Sequence, residues 1–297
     1  MALRPLVACI PGDPVWFIVF EGSMAKDIIA ANRLRRVSSH QNALVKELRQ
    51  AFGHAALTDD GYCAIEGVRV IEEAVRSGAR FKALFVSEGC EERAERLLPQ
   101  ISSHAEALLL PADLFRSAVS TEAPQGVAAL VKVKQFAIGD VLAGENPLVL
   151  IAAGIQDPGN LGTMLRSAEA FGASGVLLAE GTVGQWNPKA VRASAGSAFR
   201  LPAVKAQSSA LFQALRDRQI TVIGTSSHKG TPLQQADLSR PIALLIGNEG
   251  AGIGRHNSSQ VDELIAIPHS PKVESLNAAI AASILLYEAA RQRKLNR

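Results

Sequence analysis

Little of this 297-residue chain is aromatic, sulfur-bearing or strongly charged. Phe, Trp and Tyr together make up 5% of it, so stacking on bare bases is not its main way of holding a partner. Its three cysteines, Cys9, Cys63 and Cys90, are odd in number, widely spaced and form no CxxC pair. That argues against a disulfide framework and a zinc site, and fits a reducing cytoplasm. The six histidines show no ligand spacing and no HExxH, so no metal is expected. No apolar run approaches the ~18 residues of a membrane span, and no membrane partner is expected. A dinucleotide GxGxxG and a phosphate-cradling GxxxxGK[ST] are also missing.

What is present is aliphatic. Hydrophobic residues make up 47% and charged ones 20%, the balance of a well-packed globular protein with room for two domains. The net charge of +3 permits a nucleic-acid partner without requiring one. Residues 1–30 are an extension in which Pro11, Gly12, Asp13 and Pro14 break the apolar run a signal peptide needs. They carry no legible chemistry.

From residue 31 a basic cluster of Arg33, Arg35, Arg36, Lys46 and Arg49 accompanies an apolar helix face at Leu44, Val45 and Leu48. The basic side chains can be a solvated surface or phosphate contacts. Strand and helix patterns then alternate from YCAIEG to GVAALVKVK, an α/β sandwich of roughly a hundred residues. Residues 136–147, FAIGDVLAGENP, read as a linker. Beyond it, near-continuous apolar strands (LVLIAA, GVLLA, ITVIG, IALLIG and LIAI) alternate with helices, the pattern of a parallel sheet covered on both faces.

Three segments of this second half hold polar groups where core packing has no use for them. In LVLIAAGIQDPGNLGTMLRSAEAFG, Pro158-Gly159 turns the chain, Asn160 reads as the helix N-cap, and Arg166 sits among apolar and small neighbours. In PIALLIGNEG, a buried strand runs into a glycine turn that brings Glu249 close to backbone. In LIAIPHSPKVESLNAAIAASILLYEAA, a strand stops at Pro268. A loop stiffened by Pro271 then carries Ser275, Leu276 and Asn277 to the mouth of an aliphatic helix. His269 reads as a loop residue. Residues 185–202, QWNPKAVRASAGSAFRLP, place Asn187, Lys189, Arg192 and Ser194 either on a solvated basic helix face or on a nucleic-acid rim.

In order and context, these three segments resemble the signature motifs of the SpoU/TrmH branch of the SPOUT RNA 2′-O-ribose methyltransferases. The first half is more loosely similar to the substrate-binding domain that precedes the catalytic domain in many such proteins. Ile65-Glu66-Gly67, FKALFVSEG and Pro124-Gln125-Gly126 carry that likeness. The resemblance implies an α/β protein: a C-terminal SPOUT domain, trefoil-knotted, with a mainly parallel sheet flanked by helices, and a smaller N-terminal α/β RNA-binding domain. The expected boundaries are 31–135 for RNA binding, 136–147 for the linker and 148–297 for the methyltransferase. It implies transfer of a methyl group from S-adenosyl-L-methionine to a ribose hydroxyl, most naturally in ribosomal RNA. A transfer-RNA enzyme of the same branch and a non-catalytic RNA-binding protein are the alternatives.

The resemblance also assigns residues. Asn160, Arg166, Glu249, Ser275 and Asn277 would be catalytic. The main chains of Gly247, Ile267 and Leu276 would hold the cofactor. Lys189 and Arg192 lie in the stretch similar to the family's NPKxVRAS segment and would face RNA, joined by Arg33, Arg35 and Arg36 from the basic cluster. Arg166 holds the position usually given the role of base. A guanidinium titrates above ~12, so binding phosphate and polarising the hydroxyl is the easier task, with Asn160 orienting it. A cytoplasmic homodimer through the C-terminal domain is expected, with ASILLYEAA either a contact surface or buried within one subunit.

Overall fold

A computed structural model describes residues 33–226, 229–248 and 252–294. The N-terminal extension and Glu249 lie outside the described residues.

The first half builds a five-stranded sheet from β1 (Leu34–Arg36), β2 (Tyr62–Glu66), β3 (Arg80–Ser87), β4 (Glu106–Leu110) and β5 (Val127–Lys132), in the order β1-β4-β3-β5-β2. Among the described residues, the helices α1 (Ala43–His54), α2 (Val68–Arg76), α3 (Glu91–Leu97) and α4 (Ala112–Ala118) cover it. Helix α1 starts where the Asn42 side chain accepts hydrogen bonds from the backbone of Leu44 (3.0 Å) and Val45 (3.3 Å), satisfying two otherwise orphaned donors. The apolar face read from the sequence lies inward, with Val45 and Leu48 fully buried. They pack with Leu114 and Phe115 of α4 on one sheet face, while Ile71 of α2 and Leu97 of α3 cover the other.

The second half builds a seven-stranded sheet whose ladders are all parallel. Its order is β10-β12-β9-β11-β6-β7-β8, from β6 (Leu148–Ala152), β7 (Gly175–Leu178), β8 (Ala203–Lys205), β9 (Thr221–Ser226), β10 (Thr231–Pro232), β11 (Ile242–Ile246) and β12 (Glu263–Ala266). The helices are α5 (Ile138–Val141), α6 (Pro158–Ala170), α7 (Pro188–Ala193), α8 (Ser197–Arg200), α9 (Ser208–Asp217), α10 (Arg255–Ser258) and α11 (Ala278–Gln292). Alternate residues of the central strands feed two cores. Leu148, Leu150 and Ala152 meet α6 and α11 on one face; Val149 and Ile151 meet α9 on the other. Burial on both faces explains the unbroken apolar runs in these strands.

Several elements differ from the sequence reading. Arg35 and Arg36 of the basic run lie on a strand, β1, pairing with β4. The presumed linker contains α5, whose Val141 is buried in the second core. Helix α6 is capped by Asp157 rather than Asn160: the Asp157 carboxylate accepts from the Asn160 backbone N–H at 3.0 Å, and Pro158 takes the first helical position. Proline at that position has no N–H to leave unsatisfied, which moves the helix start back by three residues.

Candidate active site

Strand β6 starts near the centre of the sheet; the chain then builds outward to one side and returns to build on the other. The crevice at the carboxyl ends of such strands is where an open α/β sheet holds a ligand. Here a cavity of about 110 Å³ opens at the ends of β9, β11 and β12. Four of the residues expected from sequence line it: Gly247, Ile267, Ser275 and Leu276. Thr225, Ser226, Asn248 and His269 join them. In the sequence His269 reads only as a loop residue and the other three are not singled out, although hydroxyls at the end of a parallel strand, as in TVIGTS, are a legible signal.

Backbone turns shape the walls of the cavity. After β11 the chain doubles back, and Asn248 and Gly252 exchange two backbone hydrogen bonds of 2.9 Å each. A Cβ on residue 247 would lie 2.2 Å from the Gly252 carbonyl carbon and oxygen, so only glycine fits there. The Asn248 amide donates to the Gly154 carbonyl at 3.2 Å, fastening this turn to the loop after β6. On the third side, the His269 Nδ1 lies 2.7 Å from the Ile267 carbonyl oxygen, holding the loop that leaves β12.

The first and third motifs meet at Asn160 and Asn277. Asn277 caps α11, accepting from the backbone of Ala279 (3.0 Å) and Ile280 (3.2 Å). Its amide nitrogen donates to the Asn160 Oδ1 at 3.1 Å. Asn160 is thus bonded to Asn277, not to Arg166 as the sequence suggested. Arg166 is on the same helix, six residues or about 9 Å of rise further on. It is exposed, and no hydrogen bond or ion pair reaches it among the described residues.

The basic residues divide. Lys189 binds the Asp157 carboxylate at 2.8 Å. This bond, with backbone donors from Asn160 and Gly159 and against partial desolvation, holds that carboxyl below the usual aspartate range. Arg192 reaches across to the Thr121 hydroxyl at 3.4 Å. The Arg33 guanidinium donates to the carbonyls of Leu98, Ile101 and Ser102 at 2.8, 3.2 and 2.8 Å, which commits it to holding the segment that leaves α3 rather than RNA. Arg35 pairs with Glu106 at 3.0 Å, and Arg36 lies 3.8 Å from Glu88, mostly exposed. The 185–202 stretch is not a free rim: Val191 and Phe199 are buried in the core of the first sheet.

The lining mixes polar residues (Thr225, Ser226, Asn248, Ser275) with aliphatic ones (Ile246, Ile267), which suits a small ligand with both polar and apolar parts. Comparison with known proteins agrees. Residues 147–287 match the SpoU rRNA Methylase family, and residues 42–129 match the MRM3-like substrate binding domain. The chain is 32% identical over 254 residues, 86% of its length, to the 23S rRNA (guanosine(2553)-2′-O)-methyltransferase RlmP of Bacillus subtilis, covering 98% of that protein. The crystal structure of AviRb from Streptomyces viridochromogenes in complex with AdoMet superposes with a TM-score of 0.76 at 31% identity, over 86% of this chain and all of that one. An rRNA methyltransferase from Sinorhizobium meliloti gives 0.74 at 27% identity, over 87% and 98% of the two chains. The chain belongs to the SpoU family of RNA methyltransferases.

Proposed function

We propose that this protein methylates the 2′-hydroxyl of a ribose in ribosomal RNA, using S-adenosyl-L-methionine. The observation that carries the reading is one cavity lined by the second and third motifs, to which the first motif is fastened by the Asn277–Asn160 and Asn248–Gly154 bonds. When bound, S-adenosyl-L-methionine supplies an electrophilic methyl group on a sulfonium. The main chains of Gly247, Ile267 and Leu276 are placed to hold it, because a closely packed backbone turn presents N–H and C=O groups that side chains cannot obstruct.

The remaining roles follow from position. Ser275 lines the cavity, and the Asn160–Asn277 pair fixes the rim from which a ribose would enter. Glu249 belongs to the second motif and to the same reading. Arg166 is unpaired among the described residues and exposed, so its fork is available for a phosphate. A guanidinium is a poor base, with a pKa above ~12, but a good donor toward a phosphate or a developing alkoxide. Arg36, 3.8 Å from the Glu88 carboxylate and mostly exposed, is the basic side chain we assign to RNA; Lys189 and Arg192, held by Asp157 and Thr121, would have to exchange those partners for it. Arg35, held by Glu106, is a weaker candidate.

Residues 31–135 then act as the RNA-binding domain and 148–297 as the knotted catalytic domain, joined through 136–147. A homodimer through the C-terminal domain belongs to the same reading. Helix α11 leaves Ile280 and Tyr287 more than half exposed, with the Tyr287 ring edge-on to Phe171 at 5.7 Å, an apolar strip that a second copy can cover. No described helix is long and apolar enough to cross a membrane, and we place the protein in the cytoplasm with its RNA.

The test is incubation with methyl-labelled S-adenosyl-L-methionine and unmodified ribosomal RNA, then alkaline hydrolysis. Label in an alkali-resistant dinucleotide is the expected result. Label only in transfer RNA, or only on bases, contradicts the proposal.

A further inference from the structure

We infer that Arg200 is a positioning residue that sets the spacing between the RNA-binding half and the reacting half, by gripping one carboxylate on each. The inference rests on the methyltransferase reading above. The Arg200 guanidinium makes a two-pronged bond to Glu169, Nε to Oε1 at 2.7 Å and Nη2 to Oε2 at 2.9 Å. Its remaining nitrogen, Nη1, donates to Glu73 Oε2 at 3.0 Å and to the Ser77 hydroxyl at 3.3 Å. Glu169 sits on the last turn of α6, the helix that carries Asn160 and Arg166; Glu73 and Ser77 belong to α2 and its end in the other half. One planar group therefore spans the two halves, a task suited to arginine because its donors point in fixed directions. Both carboxylates are also only partly exposed, which limits solvent screening of the pairs.

The backbone is shaped around this bridge. Gly196 has a φ of +92°, and a Cβ there would fall 2.6 Å from Glu73 Oε2 and 2.7 Å from Arg200 Nη1. Glycine at 196 is thus required by the bridge as well as by the turn.

The same short stretch is fixed to both halves along its length. Toward the first half, Val191 and Phe199 are buried in its core, and Arg192 reaches Thr121, whose hydroxyl bonds the buried Glu66 carboxylate. Toward the second half, α7 crosses α6 so closely that a Cβ on Gly162 would lie 2.4 Å from the Ala190 carbonyl oxygen, and Lys189 holds Asp157 at the start of α6. The stretch 187–200 works as a splint: it grips α6 at both ends and is buried in the RNA-binding half on its other side. RNA bound by one half is then presented to Arg166 at a set distance, and a misplacement of ~1 Å can cost a reaction ~100-fold.

The experiment uses the full chain. Glu73→Gln removes the charge across the joint and leaves the Arg200–Glu169 pair intact; Arg200→Ala removes both limbs, and Arg200→Lys restores one. For Glu73→Gln and Arg200→Ala we expect kcat/KM on ribosomal RNA to fall ~10-fold, mainly through KM, with S-adenosyl-L-methionine affinity changed less than ~2-fold. Arg200→Lys should recover part of the loss, and mapping should show new methylation on riboses neighbouring the wild-type target. A folded Glu73→Gln protein with wild-type kcat/KM and a single target overturns the inference, as does parallel loss of cofactor binding. Absence of any transfer by the wild-type chain counts against the parent reading instead. The spacing claim is then decided by X-ray scattering: a broadened distance distribution in Arg200→Ala supports it, and an unchanged one refutes it.

Discussion

Replacing Gly247 with alanine is the sharpest perturbation of the cofactor cavity. The added Cβ would lie 2.2 Å from the carbonyl carbon and oxygen of Gly252 and 2.3 Å from the Ile253 nitrogen. Non-bonded carbon contacts settle at ~3.5–4 Å, so the turn has to retreat by more than ~1 Å. The two Asn248–Gly252 backbone bonds, 2.9 Å each, cannot survive that movement. Each is worth ~0.5–1.5 kcal/mol net, about 1–3 kcal/mol together. Strand β11 ends at Ile246, before the turn, so the loss falls on the cavity more than on the sheet. Since ~1.4 kcal/mol is a factor of ten, S-adenosyl-L-methionine should bind roughly 5- to 150-fold more weakly. Titration calorimetry measures the affinity directly, with a thermal melt as the folding control. An affinity within ~2-fold of wild type on a folded protein would show that this turn does not grip the cofactor.

Other substitutions separate folding from chemistry. Arg166→Ala should leave the melting temperature and cofactor affinity near wild type and reduce methyl transfer at least ~100-fold, while near-normal turnover in Arg166→Lys would show that the fork geometry is irrelevant. Asn277→Asp keeps an acceptor for Ala279 and Ile280 but no donor for Asn160; transfer should fall ~10-fold with little change in melting, whereas Asn277→Ala should also lower stability by ~1 kcal/mol through the lost cap. Equal activity of Asn277→Asp and wild type would remove the Asn160 link from the mechanism. Acid should loosen the end of α11. The Arg291 guanidinium, helped by Gln292 and against desolvation, lowers the Glu288 carboxyl from 4.5 to about 2. A depressed carboxyl stabilises the fold above its unfolded value and loses that contribution as pH falls between those two values. Glu288→Gln should therefore show a shallower drop in melting temperature from pH 4.5 to 2; superimposable curves would contradict this.

Much of the architecture was legible because burial on both faces leaves a plain trace. LVLIAA, GVLLA and IALLIG had no alternation to confuse with a half-exposed strand, and each is a central strand of the parallel sheet. Short edge strands left no such trace: β8 and β10 are three and two residues long and owe their state to a neighbour. The helix start at Asp157 was within reach of the rule that proline favours the first helical position, but Asp157 and Asn160 are both good caps and local propensity does not choose between them.

The site was legible where it depends on loops and hidden where it depends on long-range contact. Prolines and glycines at 247, 268 and 271 announced the cavity walls. That Asn160 faces Asn277, 117 positions away, could not be read from spacing. The 185–202 stretch shows why charge alone misleads. Lys189, Arg192 and Arg200 resemble a solvated or RNA-facing basic face, yet each is paired, two of them across the joint, and the apolar residues between them are buried in the other half of the molecule.

Hydrogen exchange with and without S-adenosyl-L-methionine addresses the central claim most directly, that separate loops close one cavity around one ligand. Amides of 246–253 and of 267–278 should gain protection together and at the same ligand concentration, with the first sheet unaffected. Protection confined to one of these stretches, or appearing in neither while the ligand binds elsewhere, would contradict it.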